Sequence, residues 1–148
     1  MTTEPFAESP WQSAWASVPG RSHVMNNRPC EDAIAIWRSP AVLTVAICDG
    51  AGSASHGKAG AEIVSQELSK YLGQNFHNII EGRVGLERII QAGLTKIKEL
   101  SGTSTGMSDY ACTLVAIAVS KDLGIAVHIG DGLIAFVKAG QPYNAPRT

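Results

Sequence analysis

Apolar and polar positions change period several times along the chain. Residues 13–18 alternate Trp15 and other apolar positions with small polar ones, which predicts a short strand. Residues 20–32 are polar, and Gly20, Asn26-Asn27 and Arg28-Pro29 mark a loop. Residues 33–37 and 42–48 read as strands, the second (VLTVAIC) rich in β-branched side chains. Ser39-Pro40 breaks them apart, as in an antiparallel hairpin. The period then becomes helical. Ile63, Val64, Leu68, Tyr71 and Leu72 share one face over residues 58–72. Leu86, Ile89, Ile90, Leu94, Ile97 and Leu100 share another over residues 86–100. Residues 101–108 are a small-residue connection. Three strands are predicted next, over 111–119, 124–129 and 133–138. Their turns fall at Lys121-Asp122 and Gly130-Asp131-Gly132, where Asp-Gly between two β runs signals a hairpin.

Strands, two helices, then a meander argue for α+β layering rather than alternating βαβ units. The 148 residues suit one domain with a core that needs no staples. The layout expected is a lead-in over 1–12, a domain over 13–140 and a tail over 141–148. Twelve basic against thirteen acidic residues leave a net charge of −1. That balance lacks the basic excess nucleic-acid binding demands. No apolar run approaches the ~18 residues of a membrane span. The first ten residues lack the basic start and apolar core of a signal peptide. Cys30, Cys48 and Cys112 are odd in number and form no C-x-x-C pair, which favours a reducing compartment over a zinc site. A cytoplasmic address is expected. Cys48 and Cys112 lie in apolar runs and are expected to pack as small hydrophobes.

Two acidic sites carry candidate chemistry. Glu31-Asp32 precedes the first central strand and Asp49 follows the second. In a hairpin, Asp32 and Asp49 share one edge of the sheet. Carboxylates that close repel unless a cation lies between them, and a hard divalent ion with oxygen ligands answers that need. The Gly50 carbonyl reaches the same place. The bland alternative is a turn at Asp49-Gly50 and a solvated loop end at Glu31-Asp32. A rival motif overlaps: Gly52 to Lys58 matches the first seven positions of G-x-x-x-x-G-K-[ST], but the eighth is Ala59, without the hydroxyl that ligates Mg²⁺. Among the histidines, His23 lies near Arg21 and Arg28 and is the best phosphate-facing candidate, since arginine forks bind two oxygens at once. No Ser-His-Asp or Cys-His arrangement for nucleophilic catalysis can be argued from the sequence.

Taken in order, Gly20-Arg-Ser-His23, Pro29-Cys-Glu-Asp32-Ala, Val45-Ala-Ile-Cys-Asp49-Gly50-Ala-Gly52, Ala111-Cys-Thr113-Leu and Val127-His-Ile-Gly130-Asp131-Gly132 resemble the metal-dependent Ser/Thr protein phosphatases of type 2C, the PPM family, in a bacterial-type branch. The resemblance runs from about residue 14 to residue 140. It implies a layered β-sandwich of antiparallel sheets flanked by antiparallel helices. It also implies hydrolysis of phosphoserine and phosphothreonine on proteins, with two Mn²⁺ or Mg²⁺ ions activating a bridging water. By this resemblance Asp49 bridges both ions and Gly50 ligates one through its carbonyl. Glu31 and Asp32 hold one ion or its waters, and Asp131 sits at the metal edge. His23 and Arg28 take the substrate phosphate. Many members have arginine where Asn27 stands, and some have histidine where Ala51 stands. The family's remaining metal aspartates follow the meander, so the chain is expected to be the first half or two thirds of such a domain, with impaired turnover. The partners implied are a phosphoprotein substrate and a cognate Ser/Thr kinase. The alternatives are a non-catalytic pseudophosphatase-like module that binds a phosphoprotein or kinase, and a P-loop nucleotidase.

Overall fold

The computed structural model describes residues 11–25, 29–101 and 106–137, without the side chains of Ser22 and His23. Four strands form one antiparallel sheet in the order β1-β2-β3-β4, with β1 Asp32–Arg38, β2 Leu43–Asp49, β3 Leu114–Val119 and β4 Gly124–Ile129. The helices are α1 Arg21–Met25, α2 Gly57–Gln74, α3 Phe76–Ile80 and α4 Leu86–Ser101, followed by a 3₁₀ turn at Met107–Tyr110. Strands and helices are segregated as α+β layering requires. Among the described residues the strands make one sheet.

Side-chain alternation fixes what packs where. Leu114, Ala116 and Ala118 of β3, with Ala46 and Cys48 of β2, point to one face and are buried. These are mostly small residues, so α2 settles close on β1, β2 and β3. It contributes Ala61, Val64, Leu68 and Leu72. Leu72 is fully buried, a contribution of about 1.5–3 kcal/mol from burial. Helix α4 packs on α2 and buries Ile89 and Ile97. The opposite face of the sheet carries Val45, Ile47, Val115, Ile117 and Val119, which line an apolar groove of about 560 Å³ together with residues 11–14 and 133–137.

Three expectations are corrected. Residues 13–18 form no strand; the lead-in is tied to the sheet by side chains instead. The Trp11 indole N–H donates to the Ser120 carbonyl at 2.6 Å, and the Arg38 guanidinium donates to Ser13 Oγ at 2.6 Å. Within the expected loop 20–32, residues Arg21–Met25 make a helical turn, closed by Val24 N–H on the Gly20 carbonyl at 3.1 Å. Residues 133–137 form no third strand of the meander. Rather than extending the ladder beside β4, this segment lines the apolar groove on the open face, with Leu133 and Phe136 still largely exposed. Lys138 lies outside the described residues, as does Arg28. The helix over 76–80 was not anticipated as a separate element; buried Phe76 anchors it.

Candidate metal centre

The pairing registers bring residues at or just beyond the ends of all four strands to the same end of the sheet. Asp32 opens β1 and stands opposite Asp49, which closes β2. Beyond β3, Thr113 continues the row: its N–H donates to the Asp49 carbonyl at 2.8 Å. The Asp49 N–H in turn donates to Thr113 Oγ1 at 3.1 Å. The β3–β4 register, Leu114 against Ile129, then carries the row to Gly130, with Asp131 immediately after it. Glu31 precedes Asp32 and accepts the Gly50 N–H on its carbonyl at 3.1 Å. Sheet geometry therefore gathers Glu31, Asp32, Asp49, Gly50 and Asp131 on one edge, although they span 100 positions of sequence from 31 to 131.

Two glycines make this edge possible. Gly50 is buried where the first turn of α2 abuts the end of β2; a Cβ there would lie 2.5 Å from the Gly57 carbonyl carbon and oxygen. Gly130 has φ +100°, which side chains rarely tolerate, and a Cβ on it would come within 2.7 Å of Thr113 Cγ2. The glycine loop 52–57 is thus closed onto its own strand. Its sheet is wholly antiparallel, without the parallel crossover of a phosphate-binding P-loop.

The electrostatics follow from the crowding. The Asp49 carboxyl is pushed above its ordinary value, first by loss of hydration, then by the negative charge of Asp32 and the hydrogen bond to it, then by Asp131 and Glu31. Asp32, Asp49 and Asp131 are all exposed and Glu31 is half-buried. Asp32 Oδ2 also accepts from the Cys30 thiol at 3.4 Å and lies 3.5 Å from the Ser17 hydroxyl. Oxygen donors of this kind suit a hard divalent cation. Among the described residues, no three His, Cys, Asp or Glu side chains already stand as a closed cage. Behind the edge, Cys48 is buried and Cys112 half-buried, and all three cysteines are free thiols. The Cys48 thiol is pushed up by the neighbouring Cys112 thiol and by burial, so it packs as a neutral group.

Of the candidates for phosphate, His23 lies in α1 and Arg28 outside the described residues. Sequence reasoning missed Thr113 as a partner of Asp49, and Ser17 and Cys30 as neighbours of Asp32. A threonine after a cysteine carries no local signal of either contact.

The family model described as protein phosphatase 2C matches residues 19–148. The chain belongs to the protein phosphatase 2C family. Serine/threonine-protein phosphatase 3 of Escherichia coli (strain K12) is 29% identical over 149 residues, covering 93% of this chain and 57% of that relative. This protein phosphatase 2C chain therefore spans little more than half the length of the curated relative it matches. No solved structure matches it significantly. The described part of this family member contains no helix long and apolar enough to cross a membrane.

Proposed function

We propose that this chain carries the metal-binding edge of a protein phosphatase that hydrolyses phosphoserine and phosphothreonine on proteins with Mn²⁺ or Mg²⁺. One observation carries the reading: the pairing of Asp32 with Asp49, with Glu31, Gly50 and Asp131 on the same edge. Structure built for stability alone does not set like charges directly opposite each other across a ladder. The raised Asp49 carboxyl supports the same conclusion. Carboxylates held together at a cost to the apo protein are what a divalent cation repays. Asp49, Asp32, Glu31, the Gly50 carbonyl and Asp131 would supply the oxygens that hold the ions, with Asp49 shared between two of them. Divalent cations bound there supply the positive charge that activates water and offsets charge on the phosphate. The chain's own contribution is to orient these oxygens from rigid strand ends. His23 and Arg28 are the proposed phosphate contacts. Because the exposed carboxylates close no three-ligand cage by themselves, turnover by these residues alone is expected to be slow.

The substrates proposed are phosphoproteins, and the natural counterpart is the Ser/Thr kinase whose products are reversed. Three free thiols support a reducing, cytoplasmic setting. The test is hydrolysis of p-nitrophenyl phosphate and of a phosphothreonine peptide across a Mn²⁺ titration, with Asp49→Ala in parallel. Mn²⁺-dependent release of phosphate that Asp49→Ala abolishes is expected. Release that persists in Asp49→Ala, or in excess chelator, would sink the metal reading. Tight binding of the phosphopeptide without any release would favour a non-catalytic phosphoprotein-binding module.

A further inference from the structure

Asp49 is the last residue of β2, and strand ends fray unless something holds them. A regular antiparallel pair at this position would exchange two backbone hydrogen bonds, N–H to carbonyl in each direction. Only one of them follows that pattern here: the Thr113 N–H donates to the Asp49 carbonyl at 2.8 Å. The other goes to a side chain, the Asp49 N–H donating to Thr113 Oγ1 at 3.1 Å. The backbone of the central carboxylate is thus held from both sides by a single residue. Thr113 is half-buried, and its methyl stands against Gly130, whose missing side chain leaves it room.

We propose that Thr113 is a positioning residue of the centre, its hydroxyl fixing the Asp49 backbone so that the carboxylate is presented at a constant place on the sheet edge. The proposal rests on the metal reading given above. A valine has nearly the same shape but leaves the Asp49 N–H without its acceptor, whereas serine keeps the acceptor and loses only the methyl. Loss of one such hydrogen bond corresponds to roughly a tenfold change in a local equilibrium.

Two readouts on the 148-residue chain separate the proposal from the reading beneath it. The first, which needs no metal, is the hydrogen-exchange rate of the Asp49 amide by NMR. The second is Mn²⁺ binding, followed by the paramagnetic resonance of the free ion. Thr113→Val is expected to speed Asp49 exchange by about tenfold and to weaken Mn²⁺ binding by a similar factor, with Thr113→Ser within about twofold of wild type on both. If Thr113→Val does not fold by circular dichroism, Thr113→Ala, which also lacks the hydroxyl, is read in its place. Unchanged Asp49 exchange in the hydroxyl-free variant overturns the proposal, as does a serine variant as weak as the valine one. Faster exchange with Mn²⁺ affinity unchanged overturns the positioning role while sparing the metal centre. Failure of the wild type itself to bind Mn²⁺ overturns the metal centre, and the proposal with it.

Discussion

Replacing Asp32 with asparagine should make the metal-free protein more stable, not less. Asp32 and Asp49 face each other directly across the β1–β2 ladder. Like charges in that position cost about 0.2–1 kcal/mol. Both residues are exposed, so solvent and salt keep the cost within that range. Asparagine retains an acceptor oxygen for the Cys30 thiol and the Ser17 hydroxyl, so the substitution isolates the charge. For a domain of this size, 1 kcal/mol moves the midpoint by roughly 2–4 °C. The expected gain in Tm is therefore about 0.5–4 °C at pH 7 in chelator and low salt, shrinking as ionic strength rises. Added Mn²⁺ should reverse the order, because ligand bound only by the folded state stabilises in proportion to its affinity and the variant has lost a ligand. Differential scanning calorimetry with and without Mn²⁺ measures both effects. A metal-free Tm for Asp32→Asn equal to or below wild type at low salt would show that the two carboxylates do not repel, and the argument for a cation between them would fall.

Two further outcomes follow from the same edge. Gly50→Ala must displace the first turn of α2 or the end of β2, since its Cβ would meet Gly57 backbone at 2.5 Å; a loss of about 1–3 kcal/mol in urea unfolding is expected. Gly52→Ala, with Glu31 Oε2 as nearest atom at 3.6 Å, should cost less than about 0.5 kcal/mol, and equal losses would contradict this packing. The raised Asp49 carboxyl means that the folded state holds a proton the unfolded state has released. Its contribution therefore falls as pH rises from the unfolded value of 3.8 through the raised folded one. Measured in chelator as the difference between wild type and Asp49→Asn, stability should decline over that interval, while Mn²⁺ affinity climbs as the proton leaves; a flat difference would rule out the crowding described here.

The central hairpin was legible because two signals agreed. β-branched alternation marked the strands, and Ser39-Pro40 marked the break, so Asp32 and Asp49 could be brought together on paper. The two helices were equally legible from their apolar stripes. Residues 133–137 were misread because Leu133, Ile134 and Phe136 satisfy a strand pattern equally well when they lie across an apolar sheet face. Residues 13–18 show the same ambiguity: small and aromatic residues alternate, yet what holds the lead-in is an indole N–H and an arginine. The Thr113 contact was illegible in principle. It replaces one backbone acceptor by a hydroxyl at a strand end, a choice made by tertiary geometry and not by local composition.

The hairpin has one more consequence. Side chains of a strand alternate strictly, so sliding β1 past β2 by a single position would turn every β1 side chain over. Ala33 would lose its place beneath α2 beside Cys48 at the same moment that Asp32 and Asp49 parted company. Interior and chemistry share one alignment, so neither can drift while the other stays intact. Selection for a well-filled interior therefore protects the acidic edge as well.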